Sequence, residues 1–147
     1  MKKNRNRIGN PAARKVFIFH FFFMLIFISF QTLAQTKWVA PKEADDLKNP
    51  LVGNIAALKE GKTLYVSYCT PCHGEKGRGD GVAAASLSTK PADHSSDYVQ
   101  KQSDGALFWM ITEGRNPMPA YKQSFSDQQR WELVDYIRTL AKNTKKI

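Results

Sequence analysis

Apolar residues recur at helical spacing in three separate stretches of the chain. From Asn54 to Tyr68, the residues Ile55, Leu58, Gly61, Leu64, Tyr65 and Tyr68 fall on one side of a helix, and Asn54 is a good N-cap. Gly61 in the interior of that helix costs about 1 kcal/mol relative to Ala, and a glycine kept in such a place permits another backbone to approach closely. A second helix begins near Asp104, continues through Ala106, Leu107, Trp109, Met110 and Ile111, and meets a natural stop at Gly114. The third starts at Ser126, where Ser126-Asp127-Gln128-Gln129 is a capping box. One of its stripes is Trp131, Val134, Ile137 and Ala141; Leu133, Tyr136 and Leu140 form an adjoining one, and the helix is expected to reach about Lys142. The pattern predicts an all-α fold of about three main helices plus loops.

The connecting segments are polar or rich in glycine and proline. Residues 35–50 read as an extended lead, with Pro41 and Pro50 as helix breakers. Trp38 in that lead is expected to pack on the surface of the domain. Glu75-Lys76-Gly77-Arg78-Gly79-Asp80-Gly81, following Gly74, forms a loop able to lie close to a flat ligand edge. Its spacing fits neither the dinucleotide-binding fingerprint nor the P-loop. Val82 to Leu87 allow a short helical turn that ends at Lys90-Pro91, and residues 91–103 read as a polar loop. The domain is expected over residues 51–142, with 143–147 a frayed tail.

Val16–Phe30 is apolar except at His20 and Ser29, and it follows a basic stretch that runs to Lys15. With the small residues at Thr32-Leu33-Ala34, this is the layout of a signal peptide over residues 1–34, cut before Gln35. The competing reading is an uncleaved N-terminal membrane anchor, since the apolar run is almost long enough to span a bilayer. The leader changes how the charge is read. The whole chain has 22 basic and 13 acidic residues and a formal charge of +9, but six of the basic residues and no acidic ones lie in 1–34. What remains is sixteen against thirteen, with no basic patch interleaved with aromatics, so nucleic acid is not an expected partner.

The chemistry is concentrated in Cys69-Thr70-Pro71-Cys72-His73, which contains both cysteines of the chain. Cys-x-x-Cys-His is the attachment signature of c-type haem. Two thiols at this spacing can each form a thioether with one vinyl group of a single porphyrin, and the following His can coordinate the iron. A zinc site lacks a second Cys pair, and His20 and His94 are poorly placed to complete one. A thioredoxin-like pair calls for a βαβ pattern, and no convincing strand run surrounds the motif. A structural disulfide remains a further alternative.

The remaining axial position decides the function. A Met there gives an electron-transfer site, whereas an open position permits oxygen or peroxide chemistry. Met110 sits among core residues, and His94 lies in a polar loop where exposure is the ordinary expectation. Met118 stands between Pro117 and Pro119, where the backbone is stiff and cannot be helical, and it is the preferred candidate.

These features together resemble the class I single-haem cytochromes c, over about residues 50–142. Gly61 and Tyr65 stand eight and four residues before Cys69, as the small and aromatic residues of that family's first helix do. Cys69–Gly74 matches the haem motif, Gly105–Tyr121 looks like the helix and Met-ligand loop, and Leu133 and Tyr136 match last-helix positions that pack on the first. The resemblance implies a small cytochrome c fold wrapped around one covalent haem c, with Cys69, Cys72, His73 and Met118 as its binding residues and His73 and Met118 on the iron. It implies an electron carrier in the periplasm, or otherwise outside the cytoplasmic membrane, working between a redox donor and a redox acceptor protein. The alternatives are a cytochrome subunit held in a membrane-bound respiratory or dehydrogenase complex and, less favoured, a peroxidase-like haem enzyme. Lys62, Lys76, Arg78 and Lys122 either ring the haem edge and steer acidic partners or form an ordinary solvated surface. Relatives often carry a proline soon after the glycine run, whose carbonyl orients the ligand His. Val82 stands there instead, so the carbonyl serving His73 is left open. Intact-mass measurement of the exported protein is expected to give a chain starting at Gln35; a chain that retains residues 1–34 would favour the anchor.

Overall fold

The computed structural model describes residues 37–142; the expected leader over 1–34 and tail over 143–147 lie outside the described residues. Among those described there is no strand, only an isolated bridge between Arg115 and Met118, and no helix is long and apolar enough to cross a membrane. The elements are α1 (Ile55–Leu64), a π turn (Tyr65–Cys69), α2 (Thr70–His73), α3 (Asp97–Gln100), α4 (Asp104–Glu113) and α5 (Asp127–Thr139), with short 3-10 turns at Lys42–Asp46 and Ala84–Ser86.

The helix ends follow their capping chemistry. The Asn54 side chain accepts from the amides of Ala56 and Ala57, and both halves of the Ser126–Gln129 capping box are formed. The cap of α4 is Ser103, one residue before the expected Asp104, because the Ser103 hydroxyl accepts from Ala106 N. Gly114 closes α4 with φ of 63°.

Helices α1 and α5 cross at Gly61. A Cβ at this position would lie 1.9 Å from the Glu132 carbonyl oxygen, so only glycine lets the two backbones meet. Around the crossing, Tyr65, Leu133 and Val134 are fully buried, with Leu107, Ile111 and Trp131 completing the same core. Arg130 is also buried. Its guanidinium lies over the Phe108 ring at 4.8 Å and bonds Thr112 Oγ1 at 2.6 Å, tying α5 to α4. Phe108 and Trp131 stack at 4.1 Å beside it.

Two residues of the predicted α1 stripe are not in the core. Ile55 is 83% exposed in the first turn, and Tyr68 is 53% exposed. The reason at Tyr68 is the π turn, which inserts an extra residue per turn and rotates everything after Tyr65 out of the 3.6-residue register. The lead is not wholly extended either. Its Lys42–Asp46 turn buries Ala44, whose carbonyl would be 1.9 Å from a Cβ on Gly105 of α4. Trp38 packs edge-on against Trp109 at 6.3 Å, with Arg115 over its ring at 5.1 Å. The polar loop expected over 91–103 contains α3, capped by Ser96.

Replacing Gly61 by Ala is expected to destabilise the domain by about 1–3 kcal/mol through overpacking at the α1–α5 crossing. Urea unfolding measures this, and parental stability in the variant would contradict the close approach.

Candidate functional site

The π turn delivers the Cys-x-x-Cys-His run onto α2. Cys69 closes the wide turn, and Pro71 sits in the first turn of α2. Both thiols are free and half-buried. Burial and the neighbouring Cys72 push the Cys69 thiol up to about 12. A thiol held neutral in this way is the opposite of a redox-exchange cysteine, which needs a depressed pKa. A raised thiol pKa does not favour the thioredoxin-like alternative.

His73 ends α2 and is buried. Its Nδ1 lies 2.9 Å from the carbonyl oxygen of Ala92. A carbonyl only accepts, so Nδ1 carries the proton and Nε2 keeps a free lone pair. Burial lowers the pKa of the ring, partly opposed by the Ala92 bond, and this keeps the imidazole neutral. Ala92 is the carbonyl that the sequence left open. Val82, where a proline was sought, is 94% exposed and takes no part.

The glycine loop positions that carbonyl. The amides of Gly79 and Gly81 return to the carbonyls of His73 and Cys72, at 2.8 and 3.2 Å. At Gly79, with φ of +70°, a Cβ would be 2.3 Å from the Pro91 carbonyl. The glycines thus let the loop fold back on α2 and receive the 91–94 segment.

That segment overturns the reading of His94 as an exposed loop residue. His94 is half-buried, and its ring stacks on His73 with centroids 4.0 Å apart and planes 19° apart. Two rings stacked face to face at this distance leave no room for an ion between them, so His94 as placed does not fit as a ligand opposite His73.

Met118 lies in a tight turn in which Arg115 and Met118 exchange backbone hydrogen bonds of 3.0 and 2.8 Å. Its side chain is partly buried against the same core that Cys69 borders. Tyr121, three residues on, links this loop to the cysteines. Its hydroxyl lies 3.5 Å from the Tyr68 carbonyl, its ring stacks on Phe125 at 4.8 Å, and Tyr68 packs edge-on against Phe125 at 5.0 Å. Burial, with Cys69 and Cys72 nearby, pushes the Tyr121 phenol up to about 12. Met110 is buried within α4, as its spacing predicted.

Residues 56–137, more than half of the chain, match the family described as cytochrome c oxidase, cbb3-type, subunit III. The chain belongs to that family. It is 28% identical over 89 residues to the Cbb3-type cytochrome c oxidase subunit CcoP of Azospirillum brasilense, across 60% of this chain and 30% of that protein. It therefore spans less than a third of that relative's length. Among solved structures, a chain of the Kuenenia stuttgartiensis reducing HAO-like protein complex matches with a TM-score of 0.57 and 29% identity, over 65% of this chain and 50% of that one. The protein is a small all-α cytochrome c domain of the electron-transfer type. Covalently bound haem c goes with such a domain, and the donor set fits it: two free thiols at the right spacing, followed by a buried imidazole whose Nδ1 is taken by Ala92 O.

Two supporting residues had no separate signal in the sequence. Ala92 acts only through its backbone. Arg130 reads as one more charge on a helix until its burial is seen. Asp93 lies in the stretch expected only to be a polar loop. Its carboxylate accepts from Ser95 N and from Lys142 Nζ, both at 2.9 Å, and so braces the turn between Ala92 and His94. Burial acts to raise this carboxyl, but the bonds from Ser95 and Lys142 outweigh it and hold the group below its ordinary value. A carboxylate depressed on folding contributes its stability above its unfolded-chain pKa of about 3.9 and loses it as pH falls through the folded value. Asp93→Asn is expected to lower stability at neutral pH and to flatten its decline between about pH 5 and pH 2, as read from urea unfolding across that range. Parental stability at both ends would contradict this role.

Proposed function

We propose that the chain is an exported electron carrier that binds one haem through Cys69 and Cys72, with His73 and Met118 as the two axial ligands. The observation that carries the reading is the 2.9 Å contact of His73 Nδ1 with Ala92 O, which leaves Nε2 unprotonated on the residue that directly follows the second thiol. Haem held there supplies a one-electron ferric–ferrous couple. The rest is done by the chain. Cys69 and Cys72 fix the cofactor covalently, so it cannot dissociate outside the cell. The Ala92 carbonyl makes His73 a better donor by sharing its Nδ1 proton. The Pro117-Met118-Pro119 turn holds the thioether at a fixed reach, and the Tyr68, Tyr121 and Phe125 rings join that turn to the cysteine helix.

The partners in this reading are a redox donor and a redox acceptor protein. The leader pattern supports a periplasmic or otherwise extracytoplasmic site of action. A second arrangement, permanent residence in a respiratory or dehydrogenase complex, is supported by the subunit named for the Azospirillum relative and by the complex that holds the Kuenenia chain.

Met118→Ala is expected to lose the Met–iron charge-transfer band of the oxidised protein and to bind cyanide readily, whereas Met110→Ala keeps the band. The reverse result would overturn the ligand assignment.

A further inference from the structure

His94 is not used by the reading above, yet few side chains of the domain are held from so many directions. Its ring lies parallel to His73. Its Nδ1 is 3.0 Å from the hydroxyl of Tyr65, which also packs edge-on against it at 5.7 Å. Its backbone is bonded at both ends: His94 N donates to Gly77 O at 2.6 Å, and His94 O accepts from Gln100 Nε2 at 2.7 Å. The same Gln100 amide donates to Ile137 O of α5 at 2.9 Å. On the remaining side, a Cβ on Gly77 would be 2.9 Å from the Cβ of His94.

The hydrogen bond from His73 Nδ1 to Ala92 fixes the tautomer and one axis of the ring. A single hydrogen bond bends easily, so the tilt of the ring plane is set as well by what packs against its face. A flat surface against the ring face limits such tilting, and the parallel ring of His94 supplies that surface. A residue that only filled space would need neither a flat ring nor a partner for its nitrogen. We propose that His94 is a positioning residue that sets the plane of the His73 ring, and that Tyr65 fixes His94 in turn. Its influence on the haem runs through His73, because ligand orientation and basicity tune a metal centre. This inference rests on His73 being an axial ligand.

The test uses the full-length haem-loaded protein and three variants. His94→Leu fills the volume without a flat face. His94→Phe restores a flat ring without a nitrogen. Tyr65→Phe keeps the stack and removes only the hydroxyl. The readouts are the haem methyl shifts of the oxidised protein by NMR, which report the orientation of axial ligands, and the reduction potential. His94→Leu is expected to redistribute the methyl shifts and displace the potential, His94→Phe to restore both largely to the parental values, and Tyr65→Phe to move both by less than His94→Leu. Parental shifts and potential in folded His94→Leu would overturn the proposal, as would failure of His94→Phe to restore them. If His94→Leu fails to fold, Tyr65→Phe decides: unchanged methyl shifts overturn the proposal. The ligand assignment is checked separately by His73→Ala, which should free the proximal position. If it leaves the parental spectrum intact, the reading beneath fails and the positioning role falls with it.

Discussion

The contact between Gly61 and the Glu132 carbonyl governs the rest of the domain. It allows α1 and α5 to lie closer than side chains would permit, and one turn later Tyr65 is completely buried as a result. Tyr65 then serves two sides. Its ring packs on Tyr136 of α5 at 5.0 Å, and its hydroxyl reaches His94. His94 lies on His73, and His73 bonds Ala92. A backbone approach between two helices is thereby converted into the orientation of one imidazole. The chain of contacts is short, and each member is over-determined by its neighbours.

The two sides of the site are built on different principles. The His73 side is made of backbone and rings: a glycine loop that folds back, a carbonyl, and a second imidazole. The Met118 side is made of stiffness, with two prolines, a closed turn at Arg115–Met118 and an aromatic cluster around Tyr121. The first sets the tautomer of His73; the second would set the reach of Met118 in the proposed ligand pair. The π turn ends at Cys69, which packs against the core, and leads directly into Cys72 and His73 on α2.

Much of this was written in the sequence because it depends on local rules. Caps at Asn54 and Ser126, the stop at Gly114, the burial of Met110 and the role of Gly61 all follow from residue type and spacing. What the sequence did not carry depends on backbone atoms or on register. Ala92 contributes a carbonyl that every residue possesses, so no side-chain pattern marks it. The π turn shifts the periodicity by one residue, and a 3.6-residue reading therefore put Tyr68 in the core. His94 lay in a polar stretch where exposure is the ordinary outcome. Only the folded glycine loop shows that it is covered, and the glycines themselves serve contacts with other segments of the chain.

The central claim is covalent haem at Cys69 and Cys72, oriented by His73. Acid–acetone extraction of the exported protein, followed by a pyridine haemochrome spectrum, tests it most directly. One haem per chain is expected, retained by the protein after extraction and giving the spectrum of a thioether-linked porphyrin. Haem released into the acetone phase, or a purified chain with none, would contradict it.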